Sequence, residues 1–195
     1  MNEFVTKCRL KFSKWSFRFF YAKKLRLLGK GAHVYSPFRF DGIKNIEIGE
    51  GTYVQRGVWF YCLGIEGTSA SLKIGKRCAI GYNNHIAAVR NVVIGDNVLT
   101  ANNVYISDNL HNYEDIKIPI MDQPVRFKRE VSIGDGCWIG ENAAIIGVQI
   151  GKNCVIGANA VVTSDIPDYS VAVGVPAVII KKFDVELQKW IKVGS

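Results

Sequence analysis

The chain has 195 residues, of which 48% are hydrophobic, so its length and composition allow one domain with a sizeable core. No apolar run reaches the roughly 18 residues that a membrane-crossing helix needs, and residues 1–30 lack the apolar stretch and cleavage site of a signal peptide. The five cysteines form no C-x-x-C pair and are odd in number, which favours reduced thiols in a cytosolic protein over disulfides or a zinc site.

The net charge of +8 resides entirely in residues 1–30, which hold nine basic residues and one acidic residue. The other 165 residues are balanced, with 16 basic and 16 acidic residues. Within the basic segment, Phe12, Trp15, Phe19 and Ala22 recur at spacings of three and four, which is the spacing of one helix face. Residues 1–30 are therefore predicted to form a basic amphipathic helix.

Two kinds of partner suit this predicted helix. Its aromatic face could pack on the protein's own body or on a neighbouring subunit, with the lysines in solvent. Alternatively, residues 1–28 could contact the anionic inner face of the cytoplasmic membrane, because Trp and Phe beside Lys and Arg are typical of interfacial helices. No basic stripe continues beyond the segment, so nucleic acid is not an expected partner.

From residue 31 to residue 182 an aliphatic residue, often followed by glycine, recurs every six residues. The clearest members, grouped in threes, are Ile48, Val54 and Phe60; Ile74, Ile80 and Ile86; Ile94, Thr100 and Ile106; Ile133, Ile139 and Ile145; and Ile150, Ile156 and Val162. Period six matches neither a helix nor a simple alternating hairpin. It predicts an all-β solenoid of three-sided coils, in which the aliphatic side chains fill the interior and each coil pairs with its neighbours.

The fourth position after each aliphatic residue is often small, as expected for a tight corner. These residues are Cys78, Val98, Val104, Cys137, Ala143, Cys154 and Ala160. Three of the cysteines are thereby explained as small core residues, and no cysteine is expected to act as a nucleophile.

Residues 107–130 interrupt the repeat with a long loop, and such excursions from a compact solenoid are usually functional or disordered. The loop contains His111, one of three histidines in the chain. An imidazole has an ordinary pKa near 6.5, so it can accept a proton from an alcohol at neutral pH, and Asp108, Glu114 or Asp115 could orient it. His111 is therefore the candidate general base.

Residues 183–195 follow the last repeat. Phe183, Leu187, Trp190 and Ile191 recur at helical spacing, which predicts a short C-terminal helix with an apolar face that needs a partner.

Residues 30–182 resemble the bacterial hexapeptide-repeat acyltransferases. The resemblance is sharpest in Ile133–Gly140 (IGDGCWIG), Ile150–Ala158 (IGKNCVIGA), Val161–Pro167 (VVTSDIP) and Val173–Ala177 (VGVPA). It implies a left-handed parallel β-helix, although parallel crossovers are ordinarily right-handed. It also implies transfer of an acetyl group from acetyl-CoA to a sugar hydroxyl by a homotrimer whose active sites lie between subunits.

The resemblance assigns roles by position. Asp108–His111 (DNLH) resembles the catalytic motif, and the coil edge at Gly140 and Glu141 is a candidate for the N–H groups that stabilise the oxyanion. Coenzyme contacts are expected from Trp138, Gly140, Glu141, Ala158, Thr163, Ser164, Lys181 and Lys182. Acceptor contacts are expected from Asn84, His85 and Asp108, although His85 could equally be a solvated surface residue.

The chain also departs from its galactoside-modifying relatives. Ser164 stands where they have lysine, and Val178 stands where they have a basic residue. Gly81 and Val89 stand where they have the asparagine and aspartate that hold the acceptor. A galactoside or maltose acceptor is therefore disfavoured, and a sugar of a capsular or lipopolysaccharide unit is expected.

Three alternatives share the fold. An N-acyltransferase of an amino-sugar nucleotide would use the same histidine. A γ-class carbonic anhydrase would need three clustered histidines, whereas the histidines here are 52 and 26 residues apart, so no metal is expected. A non-catalytic solenoid is disfavoured, because it would not account for the inserted loop that carries His111.

Overall fold

Short β-strands make up most of the computed structural model, which describes residues 12–13 and 15–193. In chain order up to the inserted loop they are β1 Leu27–Leu28, β2 His33–Val34, β3 Arg39–Asp41, β4 Ile46–Ile48, β5 Tyr53–Val54, β6 Trp59–Cys62, β7 Ser71–Ile74, β8 Ala79–Ile80, β9 His85–Ala88, β10 Asn91–Ile94, β11 Leu99–Thr100 and β12 Tyr105–Ser107. They continue as β13 Asn109–His111, β14 Val125–Phe127, β15 Val131–Ile133, β16 Trp138–Ile139, β17 Ala144–Ile146, β18 Gln149–Ile150, β19 Val155–Ile156, β20 Val161–Val162, β21 Ser170–Val173, β22 Val178–Asp184 and β23 Lys189–Lys192. Two short 3-10 turns lie at Ile43–Asn45 and Ile120–Asp122.

Successive strands of the repeat are assigned in turn to three sheets. Sheet 1 has the order β1-β4-β7-β10-β15-β18, sheet 2 β2-β5-β8-β11-β16-β19-β21-β22-β23, and sheet 3 β3-β6-β9-β12-β17-β20. Within these three sheets all pairings are parallel except those of β22 and β23 at the end of sheet 2. This order is consistent with coils of three strands, while the left-handed sense of winding stays a prediction of the resemblance.

The predicted interior positions are confirmed as the core. On sheet 1 the buried residues Ile48, Ile74, Ile94, Ile133 and Ile150 lie opposite one another on successive strands. On sheet 3 the corresponding column is Phe60, Ile86, Ile106, Ile145 and Val162, and all five are fully buried. Each side chain therefore rests on the equivalent side chain of the next strand, which removes both from water.

The corners between strands are also explained by residue type. The predicted small residues Cys78, Cys137, Ala143, Cys154 and Ala160 are buried there. Asn97, Asn103, Asn142, Asn153 and Asn159 have φ between 50° and 59°, a left-handed conformation that asparagine tolerates better than most residues. A Cβ on Gly75 would lie 2.4 Å from the Gly95 carbonyl oxygen, so only glycine permits the close stacking of these two corners.

The outward side chains differ in polarity among the three sheets. Sheet 1 presents Glu47, Lys73, Val93, Ser132 and Gln149. Sheet 2 presents Tyr53, Ala79, Leu99, Trp138 and Val155, and sheet 3 presents Trp59, His85, Tyr105, Ala144 and Val161. Sheet 1 is thus the most polar face, and sheets 2 and 3 carry the apolar outer surfaces.

The N-terminal segment is helical over residues 12–13 and 15–21. It docks through buried Phe17, whose ring meets Phe40 edge-on at 5.8 Å, and Ser13 accepts a hydrogen bond from the Ser36 N–H (3.0 Å). The predicted aromatic face does not dock on the protein's own body, because Phe12, Trp15 and Phe19 are exposed. Residues 1–11 and 14 of the predicted helix lie outside the described residues, and no described helix is long and apolar enough to span a bilayer.

The predicted C-terminal helix is wrong. Strand β22 pairs antiparallel with β21, and β23 pairs antiparallel with β22. Phe183 lies directly opposite Trp190, and their rings meet edge-on at 5.5 Å. The run Val178–Phe183 is rich in β-branched and aromatic residues, which favour a strand when a sheet edge is available. Residues 194–195 are not described.

The stacked core predicts a position-specific loss of stability. Replacing Ile94 with Ala should lower the free energy of unfolding by about 2–5 kcal/mol, because it leaves a cavity between Ile74 and Ile133. Val93→Ala, which truncates the adjacent outward side chain, should cost much less. Urea unfolding of both variants measures the two changes. Equal losses of unfolding free energy would contradict the assignment of Ile94 to an interior column.

Candidate active site

The inserted loop is anchored at both ends and in its middle. Strands β13 and β14 pair antiparallel within it, with Asn109 opposite Phe127 and His111 opposite Val125. Where the loop returns, the Arg129 guanidinium donates two hydrogen bonds to the Asp165 carboxylate, at 2.9 and 3.0 Å. The Gln149 N–H and Arg129 together hold the pKa of Asp165 below its ordinary value. The loop is therefore an ordered platform for His111.

Asp108 has a structural role, which corrects its prediction as an acceptor contact. Its side chain is fully buried at the start of the loop and accepts hydrogen bonds from the N–H groups of Val89, Arg90 and Asn91, at 2.8–3.1 Å. These N–H groups belong to the wide corner between Ile86 and Ile94, which has no ladder partner for them. The carboxylate thus closes that corner and does not face a ligand.

Asn84 is likewise structural, contrary to its prediction as an acceptor contact. It is buried, its amide donates to the Thr100 hydroxyl (2.5 Å), and its carbonyl oxygen accepts from the Val104 N–H (2.7 Å). These bonds replace ladder hydrogen bonds at a corner, so the side chain is unavailable to a substrate.

His111 lies exposed at the end of β13 and lines a cleft of about 350 Å³ on the outer face of sheet 3. Trp59, His85, Tyr105 and Leu110 line the same cleft. Of the carboxylates predicted to orient His111, Glu114 pairs with Arg126 (3.5 Å) and Asp115 accepts from the Lys117 N–H (2.8 Å). Among the described residues no hydrogen bond joins His111 to either of them or to Asp108. The cleft therefore brings His111 and His85 together without a carboxylate partner.

The wall of this cleft is an aromatic ladder that the sequence analysis did not identify. Trp59, His85 and Tyr105 lie opposite one another on β6, β9 and β12. The His85 ring stacks on Trp59 at 4.2 Å with an interplanar angle of 2°, and Tyr105 lies 5.3 Å from His85 on its other side. The Trp59 indole N–H is held by Asp41 (2.8 Å). Burial lowers the pKa of His85, which keeps its ring neutral at pH 7.

The first group of predicted coenzyme residues lies on and beside sheet 2. Trp138 is half exposed on β16, and Gly140 and Glu141 form the corner that follows it. Ala158 occupies the next corner of the stack; a Cβ on Gly140 would lie 2.5 Å from the Ala158 nitrogen. The Gly140 N–H donates to the Ile156 carbonyl (2.8 Å), so it is not available to an oxyanion. Within the described chain the Glu141 N–H donates to no protein acceptor, which leaves it as the oxyanion candidate.

The remaining predicted coenzyme residues are exposed but lie farther along the chain. Thr163 and Ser164 form the corner after β20, and Lys181 and Lys182 lie on β22 at the end of sheet 2. The cleft lined by His111 contains none of the predicted coenzyme residues. Trp138, Lys181 and Lys182 therefore lie on sheet 2, whereas the cleft of His111 lies on sheet 3 of the same chain.

Cys78, Cys137 and Cys154 are core residues, as predicted, and Cys62 is a further one. Cys62, Cys78, Cys137 and Cys154 are free thiols and fully buried. Burial raises the pKa of Cys62 to about 12 and also raises the pKa of Cys78. Cys62 and Cys78 are therefore poor nucleophiles, because a buried thiol with a raised pKa stays protonated. The side-chain hydrogen bond with Cys137 lowers the pKa of Cys154 to about 7, but this thiol is enclosed in the core. The described residues also contain no group of three side chains suited to a metal ion.

The neutral, stacked His85 predicts a pH dependence of stability. Because burial lowers its pKa in the folded state, the unfolded chain binds the proton more readily, and stability falls as pH drops below about 6.5. His85→Phe keeps the stacking and removes the titrating group, so its melting temperature should fall less between pH 7.5 and pH 5. His111→Asn, which removes an exposed histidine, should keep the wild-type fall. Identical curves for His85→Phe and wild type would contradict this assignment.

Comparisons with known proteins agree with the repeat. The family described as the hexapeptide repeat of succinyl-transferase matches residues 71–108 and 130–164, on either side of the inserted loop. A probable acetyltransferase, Rv3034c of Mycobacterium tuberculosis, is 37% identical over 155 residues, which are 79% of this chain and 49% of that protein. The putative lipopolysaccharide biosynthesis O-acetyl transferase WbbJ of Escherichia coli is 38% identical over 115 residues, covering 55% of this chain and 59% of WbbJ. The chain thus spans only 49% and 59% of the length of these two relatives.

Two solved structures share the fold. A maltose O-acetyltransferase from Clostridium difficile 630 has a TM-score of 0.58 and 29% identity, covering 94% of this chain and 90% of that one. The N-acyltransferase AntD from Bacillus cereus, solved with dTDP and 3-hydroxybutyryl-CoA, has a TM-score of 0.74 and covers 90% of this chain and 92% of that one. At 17% identity, AntD shows a likeness of fold alone. The repeat, the parallel sheets and these relatives together show that residues 71–108 and 130–164 are hexapeptide repeats similar to those of known acetyltransferases.

Proposed function

We propose that the protein transfers the acetyl group of acetyl-CoA to a hydroxyl of a sugar, with His111 as the general base. The observation that carries the proposal is the cleft in which the exposed His111 imidazole faces an aromatic wall. The acetyltransferase names of the relatives support the reaction class, and the acyl-CoA bound to AntD supports the donor.

In the proposed reaction His111 accepts the hydroxyl proton as the acceptor oxygen attacks the thioester carbonyl. The tetrahedral oxyanion is stabilised by the Glu141 N–H. The C–O bond forms, the C–S bond breaks, and the proton passes from His111 to the leaving sulfur, so the products are an acetyl ester and the free thiol of CoA. Asp108 contributes indirectly, because it holds the start of the loop on which His111 lies.

Coenzyme would run from sheet 2 over its corner with sheet 3 and on to the corner after β20. Trp138 and Ala158 would flank the pantetheine arm, Thr163 and Ser164 would contact it farther along, and the Lys181 and Lys182 ammonium groups would meet the phosphates.

The acceptor would bind on the aromatic ladder. The apolar face of a sugar ring packs well against rings such as Trp59 and Tyr105, and the neutral His85 can exchange a hydrogen bond with a hydroxyl. WbbJ, whose name assigns it to lipopolysaccharide biosynthesis, supports a sugar of a surface polysaccharide as the acceptor. N-acylation of an amino-sugar nucleotide is the competing reaction, because an amine would use the same base.

The complete site would form between copies in a homotrimer of left-handed β-helices. His111 lies on the sheet 3 side of the chain and Trp138 on sheet 2, so contact between these two faces in neighbouring copies would complete a site. The outer faces of both sheets are apolar, while sheet 1 carries charged and polar groups that suit solvent. A closed ring of three copies would make three equivalent sites.

Replacing His111 with Ala should lower kcat by roughly 10²–10⁴, the range for losing a general base, with little change in coenzyme affinity. Release of free thiol from acetyl-CoA with a panel of sugar alcohols and amino sugars measures both the loss and the preferred acceptor. Tyr113→Ala, an exposed change in the same loop, is the control and should keep near-native turnover. Near-native turnover of His111→Ala would exclude His111 as the base, and a preference for amino sugars would favour N-acylation.

The interface predicts a contrast between two outward aliphatic residues. Leu99→Asp on sheet 2 should dissociate the trimer, because it would bury an unpaired charge, whereas Val93→Asp on sheet 1 should leave it intact. Sedimentation of the wild type should give about 65 kDa, three times the 21.7 kDa of one chain. A monomeric wild type with full activity, or an intact Leu99→Asp trimer, would overturn the shared site.

A further inference from the structure

Four aromatic side chains of the N-terminal helix form a continuous exposed surface, which we name the aromatic patch: Phe12, Trp15, Phe19 and Phe20. They are 68%, 61%, 67% and 58% exposed. Trp15 stacks on Phe19 at 5.3 Å, and Phe12 and Phe20 extend the cluster at 6.3 and 5.0 Å. Contiguous exposed aromatic rings are unusual on a protein surface and mark a contact with another body.

The orientation of the patch is determined by the opposite side of the helix. Phe17 is buried in the core cluster, as is Leu25 just beyond the helix, and Ser13 accepts a hydrogen bond from the Ser36 N–H (3.0 Å). Since these contacts occupy the inner face, the helix cannot rotate to bury the patch against the described coils without breaking these contacts.

The charge around the patch indicates what covers it. Exposed basic residues follow or interrupt the aromatic positions: Arg18, Lys23, Lys24 and Lys30. Arg26 is also exposed but pairs with Glu47 (3.0 Å). Residues 1–30 hold the whole net charge of +8, and the rest of the chain is balanced. The same segment of a second copy would be repelled by this charge, whereas an anionic surface would be attracted. Aromatic rings beside Lys and Arg are the combination that favours the headgroup region of a bilayer.

We propose that the aromatic patch and the basic residues around it dock the protein on an anionic lipid bilayer. The proposal does not depend on the proposed acetyl transfer, but it affects which acceptors could reach the cleft. Phe17 contacts Phe40 on β3, and the cleft lies on β6, β9 and β12, the next three strands of sheet 3. At a strand separation of about 4.8 Å, the far wall of the cleft is about 14 Å from β3, within reach of a saccharide carried on a membrane lipid.

Vesicle co-sedimentation of the full chain tests the proposal. Vesicles of phosphatidylglycerol and phosphatidylcholine in equal parts should bind the protein at 50 mM salt, and binding should weaken strongly at 500 mM salt. Pure phosphatidylcholine vesicles should bind it weakly. Trp15→Ser/Phe19→Ser should lower the partition constant at least tenfold, with an unchanged melting temperature, because both side chains are exposed in the free protein.

Two matched controls separate the patch from general effects. Lys23→Ser/Lys24→Ser should lower binding by roughly 20–30-fold, from about fivefold for each basic residue near an anionic surface. Lys44→Ser/Lys73→Ser removes the same charge from exposed positions on the coils and should change binding little. Ile116→Ser/Met121→Ser removes two exposed apolar side chains of the inserted loop and should also bind normally.

Several outcomes would overturn the proposal. It fails if the wild type does not bind anionic vesicles at low salt, or if Trp15→Ser/Phe19→Ser binds them as tightly as the wild type. It also fails if that variant changes the mass of the assembly, since the patch would then be a subunit interface. Equal losses for the two lysine pairs would show non-specific attraction, and binding of a DNA duplex in preference to vesicles would identify a nucleic-acid surface instead.

Discussion

The structure depends on one packing constraint: every strand of the repeat must rest an aliphatic side chain on the equivalent side chain of the next coil. The columns Ile48–Ile74–Ile94–Ile133–Ile150 and Phe60–Ile86–Ile106–Ile145–Val162 satisfy it on two faces. To keep each column continuous, every coil must return to the same position after three short strands. The corners between these strands are therefore tight and require small residues or residues with a left-handed backbone conformation. The outward positions carry no such constraint, and their chemistry is therefore free to differ among the three faces.

The interior could be predicted from the sequence because the signal is local and repeated. A six-residue spacing needs no knowledge of distant contacts, and fifteen predicted positions from Ile48 to Val162 proved to be buried. The C-terminal segment lacked this redundancy. The spacing of Phe183, Leu187, Trp190 and Ile191 fits a helix, but the free edge of β21 supplied partners for a hairpin, which that spacing does not reveal.

Polar residues near His111 were the hardest to interpret. Asp108 and Asn84 flank candidate histidines in the chain and suit a ligand chemically, yet both are buried and bonded to corner N–H groups. Their role follows from the corner geometry, which is a tertiary property. Trp59 was missed for a related reason: it precedes His85 by 26 residues and Tyr105 follows by 20, so their alignment appears only when the coils are stacked.

The candidate site is distributed over two faces of the chain, and the polarity of these faces bears on how copies of the chain would assemble. His111 and the aromatic ladder lie with sheet 3, and Trp138, Glu141 and Ala158 lie with sheet 2 and its corner. Both faces are apolar, and sheet 1 is polar. An assembly that brings sheet 2 of one copy against sheet 3 of the next would bury the apolar surfaces and complete the chemistry in the same contact. The assembly and the activity would then depend on the same contact, so a change that breaks the contact would abolish both.

A mixing experiment tests this shared site most directly. His111→Ala lacks the base, and Trp138→Ala/Ala158→Asp lacks the coenzyme wall, so each variant alone should be inactive. Co-expressed in equal amounts and purified through two different tags, the hybrids should recover about a third of wild-type turnover per site, because every mixed cyclic trimer has one interface of three that joins an intact base to an intact coenzyme face. Hybrids that remain as inactive as the parents would contradict the account, since base and coenzyme would then have to come from the same chain.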